Sequence, residues 1–164
     1  MPEVFVAAGS NIRPRAHLRQ ALAALTTTWP GLRVSRAWSN PAVGFAGDDF
    51  INLVVAFKTD EPLAQVLQRL KAVELASGRE SGAPKWAART LDLDLLLYGD
   101  LIGRHAGANL PHADLTERAF VLGPLAELAP ERKHPVLGTT FGALWKEFDR
   151  STHALREVSL VEAD

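Results

Sequence analysis

The chain has 164 residues, 47% of them apolar, and a formal net charge of −1. That length and composition fit one domain with its own core and exclude a disordered chain, and the near-neutral charge gives no general attraction for nucleic acid or a membrane surface. The absence of cysteine excludes disulfides and thiol chemistry and leaves any metal to Asp, Glu or His. The opening MPEVFVAAGSN has no basic region and too short an apolar run for a signal peptide, and no stretch is apolar enough to span a bilayer. A soluble, cytoplasmic, single-domain protein over residues 1–164 is expected, without nucleic-acid or membrane partners.

In chain order, residues 3–8 (EVFVAA) read as a buried strand running into the turn Gly9-Ser10-Asn11. Leu18, Ala21, Leu22 and Leu25 recur at helical spacing, which predicts a helix over 13–28, stopped by Trp29-Pro30-Gly31. Residues 32–38 form a moderate strand, and 39–49 (SNPAVGFAGDD) a loop by their Pro, Gly and Asp content. FINLVVAF at 50–57 is a strong strand. The stripe Leu63, Val66, Leu67, Leu70 and Val73 predicts a helix over 62–77, with Gly78 as its C-terminal cap. A polar loop over 79–88 precedes a strand over 90–98 (TLDLDLLLY).

The order strand, helix, strand, strand, helix, strand is that of a ferredoxin-like α+β sandwich, with helices on a mainly antiparallel sheet. The segment LPHA at 110–113, the stretch 120–128 (FVLGPLAEL) and a helix over 139–148 are expected to add a further layer, giving a three-layer αβα arrangement.

Within RTLDLDLLLYGD (residues 89–100), alternation puts Leu91, Leu93, Leu95 and Leu97 on one strand face and Asp92, Asp94, Leu96 and Tyr98 on the other. A carboxylate in an apolar strand is costly unless it is paired or coordinated. The two aspartate Cα atoms would lie about 7 Å apart at about 3.3 Å rise per residue. Either aspartate alone fits a solvated edge residue. The pair, flanked by Arg89, points instead to Mg²⁺, which takes one or two carboxylates and completes its shell with water and phosphate.

Arg79, Lys85 and Arg89 precede this strand, and His112 and Arg118 follow it. Such a set beside Mg²⁺ suits phosphate, although each basic residue taken singly also fits a surface charge. No G-x-x-x-x-G-K-[ST] loop exists, so side chains and metal would hold any nucleotide. Trp86 lies in a polar loop, whereas Phe50 and Phe120 also fit the core. Asn52 shares a strand face with Phe50, an arrangement suited to a flat heterocycle with donors and acceptors on its edge. His17, His105, His134 and His153 have no partner pattern and read as surface residues.

RTLDLDLLLYGD followed by LPHADLTERAFVLGPLAELAP strongly resembles the signature of the 6-hydroxymethyl-7,8-dihydropterin pyrophosphokinase family. VAAGSNI resembles that family's opening strand and turn, and NPAVG…DDFINLVV its pterin-side loop and strand; the likeness runs, with gaps, from about residue 4 to about residue 136. The resemblance implies a ferredoxin-like α+β fold and transfer of the β,γ-diphosphate of ATP to the pterin hydroxymethyl group, with release of AMP, in folate biosynthesis. It implies two Mg²⁺ ions on Asp92 and Asp94, and Arg79 and Arg89 on the transferred phosphates. Glu74, Lys85, Trp86, His112 and Arg118 would hold ATP. The pterin would stack between Phe120 and Trp86, with Phe50 nearby. Asn52 and the backbone of Asn40, Pro41 and Val43 would read its edge.

The loops around 9–14, 40–49 and 79–88 are candidates to close over the substrates. Ala87-Ala88 stands where the family commonly has Gly-Pro, and Ala113 where many members carry an aromatic; neither change touches a metal ligand. Two alternatives stay open: a non-catalytic pterin- or nucleotide-binding module, and a related Mg²⁺-dependent transferase acting on another hydroxymethyl heterocycle. A monomer is expected.

Overall fold

The apolar run after Pro2 forms β1 (Glu3–Ser10), and the periodic stretch after it forms α1 (Pro14–Thr28), with proline in the first turn, where its missing N–H costs nothing. The computed structural model describes residues 1–42, 47–78, 90–151 and 153–164. The single strand expected over 32–38 is two pieces, β2 (Arg33–Val34) and β3 (Ala37–Asn40). Ser35 breaks it: its N–H donates to the Val54 carbonyl at 2.9 Å, and its Oγ accepts from Val54 N–H at 2.9 Å. A side-chain oxygen thus replaces a backbone one in the ladder. β3 then continues to Asn40, so Ser39 and Asn40, expected in a loop, belong to the sheet.

β4 (Phe50–Lys58), α2 (Leu63–Ala76) and β5 (Asp92–Tyr98) lie where the periodicity predicts them. The hairpin β6 (Gly103–His105) and β7 (Ala108–Leu110) follows, then α3 (Asp114–Glu117), α4 (Ala119–Leu128), α5 (Phe141–Glu147) and β8 (Arg156–Val158). The main sheet has the order β5-β1-β4-β3-β8, with β2 also on β4, and its pairings are antiparallel. This is the split β-α-β arrangement expected from the element order, extended by β8.

Both sheet faces are covered, which makes three layers. Leu18 and Leu25 of α1 and Val66 and Leu70 of α2 pack on Val4, Val6, Leu53 and Val55. Val121, Leu122 and Leu125 of α4 and Phe141 of α5 pack on Phe5, Val54 and Ala56 of the opposite face. Each such side chain contributes about 1.5–3 kcal/mol on burial. Gly123 sets how close α5 comes, because a Cβ there would lie 2.9 Å from the Trp145 ring.

The leucine alternation needs one correction. Leu91, Leu93 and Leu95 belong to the core under α1 and α2, but Leu97 joins Leu96 in the core under α4. Val6 pairs with Leu95 and Phe5 with Leu97, so the ladder skips Leu96. That bulge turns the strand by one residue, and Tyr98 therefore packs on the first face. His134 also departs from expectation. It is buried, and its Nδ1 accepts from the N–H groups of Val136 and Leu137, so it shapes a turn beside α5. No helix among the described residues is long and apolar enough to cross a membrane.

Candidate active site

The site lies at the Asp92 end of β5, on the sheet face that α4 and α5 leave partly open. Register places Asp92 beside Gly9, Gly9 beside Asn52, and Asn52 beside Trp38. The next row is Asp94, Ala7 and Val54. With neighbouring strands about 4.8 Å apart, the Asp92 and Asn52 backbones stand about 10 Å apart across a glycine. A carboxylate wall and an amide wall thus flank a floor made of Gly9 and Ala7. A Cβ on Gly9 would collide with Oδ1 of Asn52, so the absence of a side chain there lets the amide lean across the floor.

The Asp94 carboxyl is pushed up to about 8, first by burial, then by the charge of Asp92 and a hydrogen bond shared with it, then by Asp114 and Glu74. Four acidic groups therefore converge where desolvation already disfavours charge. Asp94, His112 and Asp114 each present a ligand atom within 4.8 Å of the others. His112 is held by its own N–H on the Leu96 carbonyl at 3.0 Å, and its Nδ1 accepts from Asp114 N–H at 3.1 Å. That second bond assigns the proton of the neutral ring to Nε2, making it a donor. Arg118 sits 4.0 Å from Asp114.

The sequence-predicted residues fall into two groups. Asp92, Asp94, Glu74 and His112 come together around the acidic end of β5. Glu74 reaches from α2 to accept Leu93 N–H at 2.7 Å, which also satisfies part of the exposed edge of β5. A cavity of about 540 Å³ opens here, lined among others by Lys71, Glu74, Asp94, Leu95, Asn109 and His112. Asn40, Asn52, Phe50, Pro41 and Phe120 form the second group. Asn52 Nδ2 donates to Asn40 Oδ1, and Asn40 Nδ2 donates to the Pro41 carbonyl at 3.0 Å. Phe50 pairs with Asn40 in the ladder. Asn40, Pro41, Arg118 and Phe120 line a smaller cavity of about 180 Å³. Arg118, expected with ATP, thus stands between the two groups.

Val43, Arg79, Lys85, Trp86 and Arg89 lie outside the described residues. Sequence reasoning missed Asp114, although a signal was present: an aspartate two residues after His112 can return its N–H to the ring. It also missed the hairpin wall of the larger cavity, because pairing of β6 with β7 brings Asn109 there and neither strand is strongly patterned. Asn11 Nδ2 donates to the Asp48 carbonyl at 3.2 Å, tying the turn after β1 to the segment that precedes β4.

The 7,8-dihydro-6-hydroxymethylpterin-pyrophosphokinase (HPPK) family matches residues 5–130. The 2-amino-4-hydroxy-6-hydroxymethyldihydropteridine pyrophosphokinase of Synechocystis is 37% identical over 147 residues, 88% of this chain and 75% of that protein. The enzyme of the same name from Pseudomonas aeruginosa is 39% identical over 137 residues, 80% of this chain and 83% of that one. Among solved structures, a Plasmodium falciparum HPPK-DHPS superposes with a TM-score of 0.67 at 15% identity, over 89% of this chain and 44% of that one. The chain therefore spans under half of that longer protein, and the likeness shows the shared fold.

Proposed function

The chain belongs to the 7,8-dihydro-6-hydroxymethylpterin-pyrophosphokinase family, and from that premise we propose that it transfers the terminal diphosphate of ATP to the hydroxymethyl group of 6-hydroxymethyl-7,8-dihydropterin, a step of folate biosynthesis. In this reaction the hydroxymethyl oxygen bonds to the β-phosphorus and gives up its proton, the bond from that phosphorus to the α,β-bridging oxygen breaks, and AMP leaves. We read residues 1–164 as one domain acting as a cytoplasmic monomer.

The observation that carries this reading is the Asp92–Asp94 pair, with Asp114 and His112 converging on Asp94, across Gly9 from the Asn52 amide. An acidic cluster that resists full ionisation is a poor stabiliser and a good cation site. Its oxygen donors fit Mg²⁺ better than a softer metal. Asp92 and Asp94 would hold two Mg²⁺ ions, and Asp114 adds negative charge beside them. Bound there, Mg²⁺ would neutralise the ATP phosphates and favour ionisation of the attacking hydroxyl.

The remaining work belongs to the chain's own groups. The cavity of about 540 Å³ beside Asp94, Glu74 and His112 suits the nucleoside part of ATP. His112, with its proton on Nε2, supplies a donor to phosphate oxygens. Asn52, locked by Asn40, offers amide donor and acceptor atoms to a pterin edge, while Phe50 and Phe120 supply flat apolar surface. Arg118, between the two cavities, is placed to meet phosphate and heterocycle together. Arg79 and Arg89 are proposed on the transferred diphosphate, and Lys85 and Trp86 beside the nucleotide. Holding both substrates on one rigid sheet supplies the in-line approach on which phosphoryl transfer depends.

Incubating the protein with ATP, Mg²⁺ and the pterin tests this directly. AMP should form in a one-to-one ratio with pterin diphosphate, and only when the pterin is present. Formation of ADP, or of AMP at the same rate without the pterin, would overturn the reading. A binding module in place of an enzyme is not favoured, because it has no need of a carboxylate held in so costly a state.

A further inference from the structure

Residues 153–164 do not contain any of the residues implied by the family resemblance, yet they run from the smaller cavity to the start of α1. His153, Ala154 and Leu155 line that cavity together with Asn40, Pro41 and Phe120. β8 comes next and pairs with β3, with Arg156 opposite Ser39 and Val158 opposite Ala37. A three-residue edge strand is too short to hold itself in place, so its position depends on what anchors its flanks.

The anchor lies at α1. The residue before that helix, Arg13, is in the left-handed region at φ 43° and offers no side-chain cap. Asp164 supplies the cap instead. Its Oδ1 accepts from Arg15 N–H at 2.7 Å and its Oδ2 from Ala16 N–H at 3.0 Å, across 149 and 148 residues of sequence. They are the N–H groups at the second and third positions of the helix, the ones a local Asp or Ser cap usually takes. The arginines of α1 bind the same segment. Arg15 Nε donates to the Ser159 carbonyl at 2.8 Å, Arg15 approaches Glu162 at 3.8 Å, and Arg19 Nη1 donates to the Leu160 carbonyl. Halfway along, Glu157 pairs with Arg36 at 3.4 Å.

We infer that residues 153–164 form a strap in which Asp164, by capping α1 from a distance, holds residues 153–155 as one wall of the heterocycle pocket and so acts as a positioning residue for the pterin. The identity of the ligand rests on the function proposed above; the mechanical part does not. The strap joins the two parts of the molecule that flank the floor of the site. It pairs with β3 over residues 37–39, next to Asn40, and it meets α1 just after the Gly9-Ser10-Asn11 turn. Loss of the cap would free the wall to move without touching Asp92, Asp94 or the larger cavity.

Asp164→Ala in the full chain should raise the KM for the pterin about fivefold, equivalent to about 1 kcal/mol, and leave the KM for ATP unchanged. Asp164→Asn keeps a carbonyl acceptor for one of the two N–H groups and should recover much of the loss. Hydrogen exchange supplies a readout that needs no activity: the amides of Ala37–Asn40 and Arg156–Val158 should exchange faster in Asp164→Ala, and those of Asp92–Tyr98 should not. Arg19→Gln, which removes a different anchor, should shift exchange in the same direction if the first variant folds poorly. Equal changes in both KM values, no change in either, or unchanged exchange at β8 would each overturn the strap. If the unmodified protein makes no pterin-dependent AMP, the functional reading falls, and the exchange result alone decides the strap.

Discussion

Glu61 and Asp94 are half-buried carboxylates at opposite ends of one sheet, and their surroundings treat them in opposite ways. Burial alone would raise the Glu61 carboxyl, but hydrogen bonds from Arg69 and Trp29, the Arg69 charge and Thr59 hold it below the ordinary range. Trp29 Nε1 donates to it at 2.7 Å and Arg69 Nε at 2.5 Å, while the Glu61 carbonyl accepts the Tyr98 hydroxyl at 2.6 Å. Trp29 also stacks on Phe57, with ring centroids 4.0 Å apart. Its charge is paired at every oxygen, and the group binds α1, α2 and β5 into one frame. Asp94 is buried among acidic neighbours instead, and its carboxyl is pushed up to about 8. One end of β5 is built for stability, and the other keeps a strained charge balance that a bound cation would relieve.

The sharpest break in this comparison comes from removing the Asp94 carboxylate. Asp94→Ala should lower the rate of pterin-dependent AMP formation at least about a thousandfold, since each 1.4 kcal/mol of lost transition-state stabilisation costs tenfold and a metal site supplies several. Its circular dichroism should match that of the unmodified protein, because the group faces away from the α1 and α2 core. A variant with near-normal turnover would remove the metal assignment.

Gly9→Ala tests the floor between the carboxylate and amide walls. The added methyl displaces Asn52 from Asn40, and the KM for the pterin should rise about tenfold, equivalent to 1.4 kcal/mol, with a much smaller effect on ATP. Equal losses for both substrates would show that Gly9 serves the sheet and not the pocket.

Glu61→Ala should do the reverse of Asp94→Ala. It strands the Trp29 N–H and the Arg69 charge, at about 1–3 kcal/mol. For a chain of this size that lowers Tm by about 3–8 °C, with kcat unchanged. Thermal unfolding followed beside the AMP assay separates the two effects.

The smallest expected effect concerns stability at the site itself. In the metal-free protein the Asp94 pKa rises from 3.8 to about 8 on folding. The folded state therefore holds the proton more tightly than the unfolded chain. The stability this confers is fully present below about pH 4 and is lost as pH rises through 8. Asp94→Asn, which carries no charge, should show a higher metal-free Tm than the unmodified protein at pH 8, and the gap should close towards pH 4. A gap that widens at low pH would contradict the raised pKa.

Much of this architecture was legible in the sequence because period alone carries it. The spacing of Leu18, Ala21 and Leu25, and of Val66 and Leu70, gives two helices on one face, and the D-x-D alternation sets the aspartates against Leu91, Leu93 and Leu95. What stayed hidden depends on partners distant in sequence. The bulge at Leu96 exists only in the register of β5 against β1. The break at Ser35 is made by its hydroxyl on Val54, which no local pattern announces. Asp114 converges on Asp94 because a turn folds back on His112, and Asp164 reaches α1 only after the sheet has brought β8 beside β3. ATP, the pterin and diphosphate transfer came from the family resemblance; the residues themselves pointed to Mg²⁺ and phosphate.

The most direct test of the account is a count of bound divalent ions. Mn²⁺ accepts the same hard oxygen donors as Mg²⁺ and can be followed by electron paramagnetic resonance with a non-hydrolysable ATP analogue present. The unmodified protein should bind two Mn²⁺ per chain, and both Asp92→Ala and Asp94→Ala should lose tight binding. Two tightly bound ions in either variant would contradict it.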